Sequence, residues 1–420
     1  MEEQPLEKPI EKPIDVINEN INPSITKKKK KKKKKKTNTL PDTPGKDYDT
    51  VARNHQSNPP SIPVEDLWPN HIFPVGELHD YTDNNLWRTT SAETRERDRI
   101  MTDEWNMVRE AAECHRFVRK WAQTQIKPGV NLYDLCESIE AMNRRMVKAA
   151  GLKKGIAFPT GVSRNNIAAH YSPNPGDRNE ILKENDVLKI DFGTQVNGQI
   201  VDCAWTYAYN MDKYGPLLAA SKAATETGIK EAGIDAHLCE IGEAIQETME
   251  SYEITLDGVV YPIKSIANLN GHSIAPYRIH AGKFVPNVKG ADPRYKMEEG
   301  EHYAIETFGS TGDGSVVESG DCSHFMKTWN AGHVPIRSKQ AKSLFAHINK
   351  TYDTLAFCKR FLALDGQHMF DGALGQLVKL GLVTAYPPLC DKVGSYTSQF
   401  EHTILLRPMC KEVVSRGDDY

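Results

Sequence analysis

Val187-Leu188-Lys189-Ile190-Asp191-Phe192-Gly193-Thr194-Gln195-Val196 runs into Asn197-Gly198 and out again through Gln199-Ile200-Val201-Asp202-Cys203-Ala204-Trp205-Thr206-Tyr207-Ala208. Two stretches rich in β-branched and aromatic residues, joined by Asn-Gly, predict a β-hairpin. Asn-Gly tolerates the positive φ angles of a type I′ turn, whose twist matches that of the flanking strands. With Asn197 and Gly198 at the turn, Val196 faces Gln199, Gly193 faces Asp202 and Asp191 faces Ala204. Side chains alternate along a strand, so Asp191 and Asp202 share a face as diagonal neighbours, roughly 7–8 Å apart at Cα. Gly193 is expected to leave open space beside them. Such a pair suits a cation, and taken alone it equally suits a solvated strand face.

Helical spacing flanks this hairpin on both sides. From Thr90 to Gln125 apolar residues recur as Ile100, Trp105, Val108, Ala112, Phe117 and Trp121, and the run ends before Pro128-Gly129. A second helix is expected from Leu132 to Ala150, and a later pair from Pro216 to Ala232 and from Ala236 to Tyr252. Two helix pairs around a strand-rich middle predict a duplicated α+β architecture.

The start of the chain is different. Residues 1–60 are rich in Pro, Asn, Lys and Glu with few aromatics, a composition expected to form a disordered arm. Lys27 to Lys36 are ten consecutive lysines, so the remainder carries −13 against the chain's −3. A block of that kind attracts polyanions, and a ribosome or RNA contact stands beside the simpler reading of a solvated tail. Residues 61–90, with Pro63, Trp68, Pro69, Phe73, Pro74 and Trp87, read as an extended arm laid over a folded domain at 91–420. No apolar run approaches the roughly 20 residues of a membrane helix, and the N-terminus lacks signal-peptide character, so a soluble, cytoplasmic protein with no membrane partner is expected. Eight cysteines from Cys114 to Cys410 contain no C-x-x-C pair, which predicts reduced thiols and neither a structural zinc site nor a disulfide framework. No heptad run demands association, so a monomer is expected.

Further metal-ligand types follow downstream. His272 sits in Asn270-Gly271-His272, Glu306 in a strand-like run from His302 to Phe308 stopped by Gly309, and Glu401 in Gln399-Phe400-Glu401-His402-Thr403-Ile404-Leu405-Leu406. Taken in order, Asp191, Asp202, His272, Glu306 and Glu401 resemble the ligand set of the type 2 methionine aminopeptidases. Ala168-Ala169-His170-Tyr171, Leu188-Lys189-Ile190-Asp191-Phe192-Gly193 and Gly271-His272-Ser273-Ile274 carry the same resemblance, which runs from about Pro60 to Tyr420. It implies a pita-bread fold with pseudo-two-fold halves. The long interval between Glu306 and Glu401 then leaves room for an inserted helical subdomain at about 328–390, with helical runs at Ser338 to Leu362 and Gly372 to Gly381.

The resemblance also implies roles. Asp191 would chelate one of two divalent metal ions, Asp202 and Glu401 would bridge both, and His272 with Glu306 would complete the second. Four carboxylates balance two dications, and an oxygen-rich set with one imidazole suits cobalt, manganese, iron(II) or zinc. Glu306 would be general base, His170 would orient the peptide and His280 would stabilise the oxyanion. Phe158, Ile279, His324, Ala356 and Tyr386, with His170 and His280, would surround the substrate. The implied activity is removal of the initiator methionine from nascent polypeptide N-termini when the second residue is small, so the chain's own Met1-Glu2 start is a poor substrate. Xaa-Pro aminopeptidase activity is the enzymatic alternative, and a non-catalytic ribosome- or RNA-binding pita-bread protein is the alternative outside enzymes.

Overall fold

A computed structural model describes residues 46–81 and 85–420. Val187–Val196 pairs antiparallel with Gln199–Ala208 in the register Val196↔Gln199, Gly193↔Asp202 and Asp191↔Ala204 that the Asn-Gly turn dictates. Asn197 and Gly198 adopt φ angles of 50° and 81°, as a type I′ turn requires. Lys154–Arg164 lines the other edge of Val187–Val196 and completes a three-stranded sheet.

The second half is a larger antiparallel sheet in the order Glu77–His79, Lys411–Val413, Thr397–Leu406, His302–Ser310, Asn270–Ile274 and Phe284–Pro286, with Lys264–Ser265 also paired to His302–Ser310. The halves meet where Gln199–Ala208 runs beside Thr397–Leu406. Thr206 Oγ1 donates to the Gln399 carbonyl (2.7 Å) and accepts from its N–H (2.8 Å). Thr403 Oγ1 does the same to Asp202, at 2.7 and 2.9 Å. These hydroxyls satisfy buried backbone groups where ladder bonds are missing, and they pin together the strands that carry Asp202 and Glu401.

One helix pair backs each sheet. Thr102–Gln125 and Leu132–Met146 cover the first, where Asn143 Nδ2 donates to the Gly193 carbonyl at 3.1 Å. Met211–Glu231 and Leu238–Glu250 cover the second, where Thr225 Oγ1 donates to the Phe400 carbonyl at 2.8 Å. Asn131 and Asn210 cap two of these helices by accepting from the N–H of Asp134 and Lys213, satisfying donors that a helix start leaves unpaired. The duplicated α+β arrangement is therefore present. Among the described residues no helix is long and apolar enough to cross a membrane. All eight cysteines are free.

Several expectations need correction. The run Thr90 to Gln125 is two helices, Ala92–Ile100 and Thr102–Gln125, because Met101 takes φ −84° and ψ 2° between them. Met211–Glu231 starts five residues before Pro216, since Asn210 supplies the cap and an early proline removes only one helical hydrogen bond. The arm expected to be unstructured through residue 60 contains the helix Lys46–His55, with Tyr48 and Ala52 buried and Arg53 bonded to Glu113 at 2.7 and 2.9 Å. The segment read as extended at 61–90 includes the helices Val64–Leu67 and Asn85–Thr90 and the strand Glu77–His79. Lys27 to Lys36 lie outside the described residues.

The insert is not purely helical. Its helices Lys339–Thr351, Lys359–Leu364 and Asp371–Lys379 pack on a three-stranded sheet of Phe357–Cys358, His324–Lys327 and Val383–Tyr386. The run expected to be helical from Ser338 to Leu362 breaks because Asp353 turns at φ 48°, leaving Phe357 and Cys358 to pair with Phe325 and His324. Phe325, Leu344, Ile348, Phe357, Leu374 and Val383 form a core separate from the main one.

Candidate metal centre

The hairpin delivers Asp191 and Asp202 to one face, and the larger sheet brings three more side chains against them. Glu306 lies opposite Glu401 and His272 opposite Ala304, so Glu306, Glu401 and His272 project from one face of three adjacent strands. His272 Nε2 is 3.5 Å from Asp202 Oδ2 and 3.5 Å from Glu306 Oε1. Ligand atoms of Asp202, His272 and Glu401 lie within 4.8 Å of one another. All five residues expected to hold metal therefore converge, although they are spread over 210 positions of sequence.

Electrostatics give this convergence its meaning. Burial pushes the carboxyl of Asp202 up to about 7 and those of Asp191, Glu306 and Glu401 well above the usual range; the charges of neighbouring carboxylates add to the rise in the last three. Asp191 Oδ1, Asp202 Oδ1 and both carboxylate oxygens of Glu401 are buried without a hydrogen-bond partner. Buried polar atoms are nearly always paired, and an unpaired buried charge costs several kcal/mol. Burial holds His272 down at about 4, so its imidazole is a neutral donor at pH 7. The set fits divalent cations, which would satisfy the orphaned oxygens and cancel the repulsion.

A cavity of about 210 Å³ opens over four of the five, Asp191, Asp202, His272 and Glu306. His170, His280, Phe158, Ile279, His324, Ala356 and Tyr386 also line it. His280 packs edge-on against His272 with ring centres 4.5 Å apart, and His170 meets Tyr386 edge-on at 5.8 Å. Burial depresses His170 to about 4 and both His280 and His324 to about 3, leaving the three imidazoles neutral. The space expected above Gly193 is filled by the Phe158 ring. A Cβ on Gly193 would sit 2.2 Å from Phe158 Cε1, so the glycine is what lets this aromatic reach the cavity wall.

Sequence reasoning missed Gln399. Its amide donates to Asp191 Oδ2 at 3.2 Å and to Glu306 Oε2 at 3.1 Å, clamping carboxylates from opposite halves. The signal was available, because a residue two before Glu401 on a strand shares its face.

The profile of metallopeptidase family M24 matches residues 106–335, more than half of the chain. The chain belongs to metallopeptidase family M24. Within M24 it is 56% identical over 365 residues to methionine aminopeptidase 2A of Arabidopsis thaliana, covering 87% of this chain and 82% of the relative. It is 55% identical to methionine aminopeptidase 2 of Schizosaccharomyces pombe, covering 87% and 85%. Among solved structures, a thermophilic Arx1 matches with a TM-score of 0.65 at 17% identity, covering 76% of this chain and 92% of that one. A methionine aminopeptidase from Thermotoga maritima matches with a TM-score of 0.50 at 18% identity, covering 78% and 98%. At such identities these two likenesses speak to the M24 fold alone.

Proposed function

We infer that the chain is a metal-dependent aminopeptidase that releases methionine from peptide N-termini. Identity above one half to methionine aminopeptidases 2 over most of both chains carries the reading, and the convergence of four carboxylates and one imidazole supports the chemistry. Asp191, Asp202, His272, Glu306 and Glu401 would hold two divalent ions, drawn from cobalt, manganese, iron(II) and zinc. Bound divalent ions polarise a scissile carbonyl and lower the pKa of water toward about 7.

The protein's own groups do the rest. Glu306 Oε1 takes a proton from water and returns it to the leaving amine, while Gln399 fixes the other oxygen of that carboxylate. His170 and His280, both neutral, offer ring N–H groups to the peptide, His170 orienting it and His280 assisting developing negative charge on the carbonyl oxygen. Phe158, Ile279, His324, Ala356 and Tyr386 receive the methionine side chain. A small second residue is preferred, so Met1 before Glu2 is retained, which intact-mass measurement checks. The enzyme acts as a cytoplasmic monomer on nascent chains, and Lys27 to Lys36 contact the ribosome or RNA through phosphate charge.

The deciding experiment strips metal with a chelator, restores manganese or cobalt, and measures first-residue release from Met-Ala-Ser, Ala-Ala-Ser and Met-Pro peptides. Metal-dependent release of methionine alone, absent in Asp202→Asn, is expected. Cleavage confined to the Met-Pro peptide would replace this reading with Xaa-Pro specificity. No cleavage with either metal would favour a binding role through the lysine arm.

A further inference from the structure

A second buried charged cluster stands behind the apolar end of the cavity, and we propose that its ion pair, Glu140–Arg360, sets the shape of the cavity wall and thereby the side-chain specificity of the site. The inference rests on the aminopeptidase reading above. Glu140 belongs to Leu132–Met146 and Arg360 to Lys359–Leu364 of the insert. They are 2% and 4% exposed. Arg360 Nη1 donates to Glu140 Oε2 at 2.6 Å and Nη2 to Oε1 at 2.7 Å.

The remaining bonds of the pair all go to segments that line the cavity. Glu140 Oε1 also accepts the Thr160 N–H at 3.1 Å, between the lining residues Pro159 and Gly161. Arg360 Nη2 donates to Ser172 Oγ at 2.8 Å and Nε to the Pro173 carbonyl at 3.0 Å, just after His170. The Ser172 N–H donates to Ser323 Oγ at 3.3 Å, and that hydroxyl meets His324 Nδ1 at 2.9 Å. Arg360 itself follows Phe357–Cys358, where Cys358 pairs with His324 and lining residue Ala356 lies just upstream.

The ion pair therefore ties together the segments around 158–161, through Glu140, and 170–173 and 356–360, through Arg360, and the Ser172–Ser323 bond extends the link to 323–324. None of its bonds reaches Asp191, Asp202, His272, Glu306 or Glu401. A planar fork held bidentately enforces positions that a point charge does not. Because an apolar pocket separates side chains differing by one methylene only about 10–200-fold, a small displacement of this wall registers in selectivity before it registers in the chemistry.

The test compares full-length, manganese-loaded protein with Arg360→Lys and with the double variant Glu140→Leu/Arg360→Met, which leaves no unpaired buried charge if the single variant fails to fold. The measurements are kcat and KM on Met-Ala-Ser and Leu-Ala-Ser, calorimetric binding of free methionine and leucine, and metal content per chain. Expected are a rise in KM for Met-Ala-Ser of about tenfold with kcat held within about threefold, a roughly tenfold fall in the methionine-to-leucine ratio, and unchanged metal content. An unchanged ratio in both variants overturns the proposal, as does a fall in metal content and kcat that accounts for all lost activity. An unaltered protein that binds methionine selectively yet never releases it from peptides would break the aminopeptidase reading, and the binding ratio of the variants would still decide the wall. A protein that neither binds nor releases methionine overturns both.

Discussion

Two buried charged clusters serve one cavity, one lining it and one bonded to the segments behind its wall, and they are built on opposite terms. Around Asp202 and Glu401, four carboxylates crowd together with buried oxygens that no protein group satisfies. Around Glu140 and Arg360, one carboxylate meets one guanidinium, and every bond of that fork is placed on a named acceptor. Both clusters carry the desolvation cost of buried charge. Only the second is repaid from within the chain. The difference separates a site suited to cations from a brace, and burial alone would not have told them apart.

The sharpest break of this comparison is removal of one charge from the first cluster. Asp202→Asn is expected to lower kcat/KM by at least about a thousandfold, since metal assistance is worth several kcal/mol. Yet the same change should raise the melting temperature of chelator-treated protein by relieving repulsion. A variant that melts lower with chelator than the unaltered protein would contradict the cation reading.

The second cluster should respond the other way. Glu140→Gln leaves the Arg360 charge buried and half-paired, at an expected cost of about 3–5 kcal/mol in denaturant unfolding, whereas Glu140→Leu/Arg360→Met should cost far less. Equal losses in the single and double variants would show that shape rather than charge balance holds the brace.

Acidity sharpens the contrast with opposite signs. The carboxyl of Asp202 is raised by burial to about 7, above an unfolded value of about 3.9, so in metal-free protein it contributes stability that is complete below about pH 4 and is lost as pH rises through 7. His170, His280 and His324 are depressed by burial to about 4, 3 and 3. Below about 6.5 the unfolded chain takes up protons that these folded imidazoles refuse, so stability falls with pH whether or not metal is present. Melting curves with and without chelator should therefore run nearly parallel above about pH 8 and differ in slope from about pH 7 to 5, where the metal-free protein loses less stability on acidification.

The smallest expected effect lies where the clusters share a wall. Gly193→Ala drives a methyl group into Phe158, with an expected cost of about 1–3 kcal/mol and a raised KM for methionine peptides. Unchanged kinetics would mean that the ring can move aside freely.

Much of this molecule was legible in the chain. Asn197-Gly198 fixed the hairpin register, because the side-chain period of two leaves no choice once the turn is placed. That register put Asp191 and Asp202 on one face. The types and order of the remaining ligands carried the family resemblance, and helical periodicity located the two pairs of helices with end errors of up to five residues, apart from the run from Thr90, which merged Ala92–Ile100 with Thr102–Gln125. Errors concentrated where tertiary contacts override local pattern. Lys46–His55 is helical with Tyr48 and Ala52 buried and Arg53 paired to Glu113, a partner no local reading could supply. The insert gained strands because Phe357 and Cys358 found edges at Phe325 and His324.

What sequence by itself determined was local geometry and chemical kind: which face each aspartate takes, which residue types can ligate, and how strongly the lysine block is charged. Only the tertiary structure decided which distant groups meet. Gln399 clamps Asp191 to Glu306 across 208 and 93 positions, and Arg360 reaches Glu140 across 220. The physical reason is that periodicity acts over a few residues, whereas the pairing of a buried charge is settled by whatever partner the packed fold brings within about 3 Å.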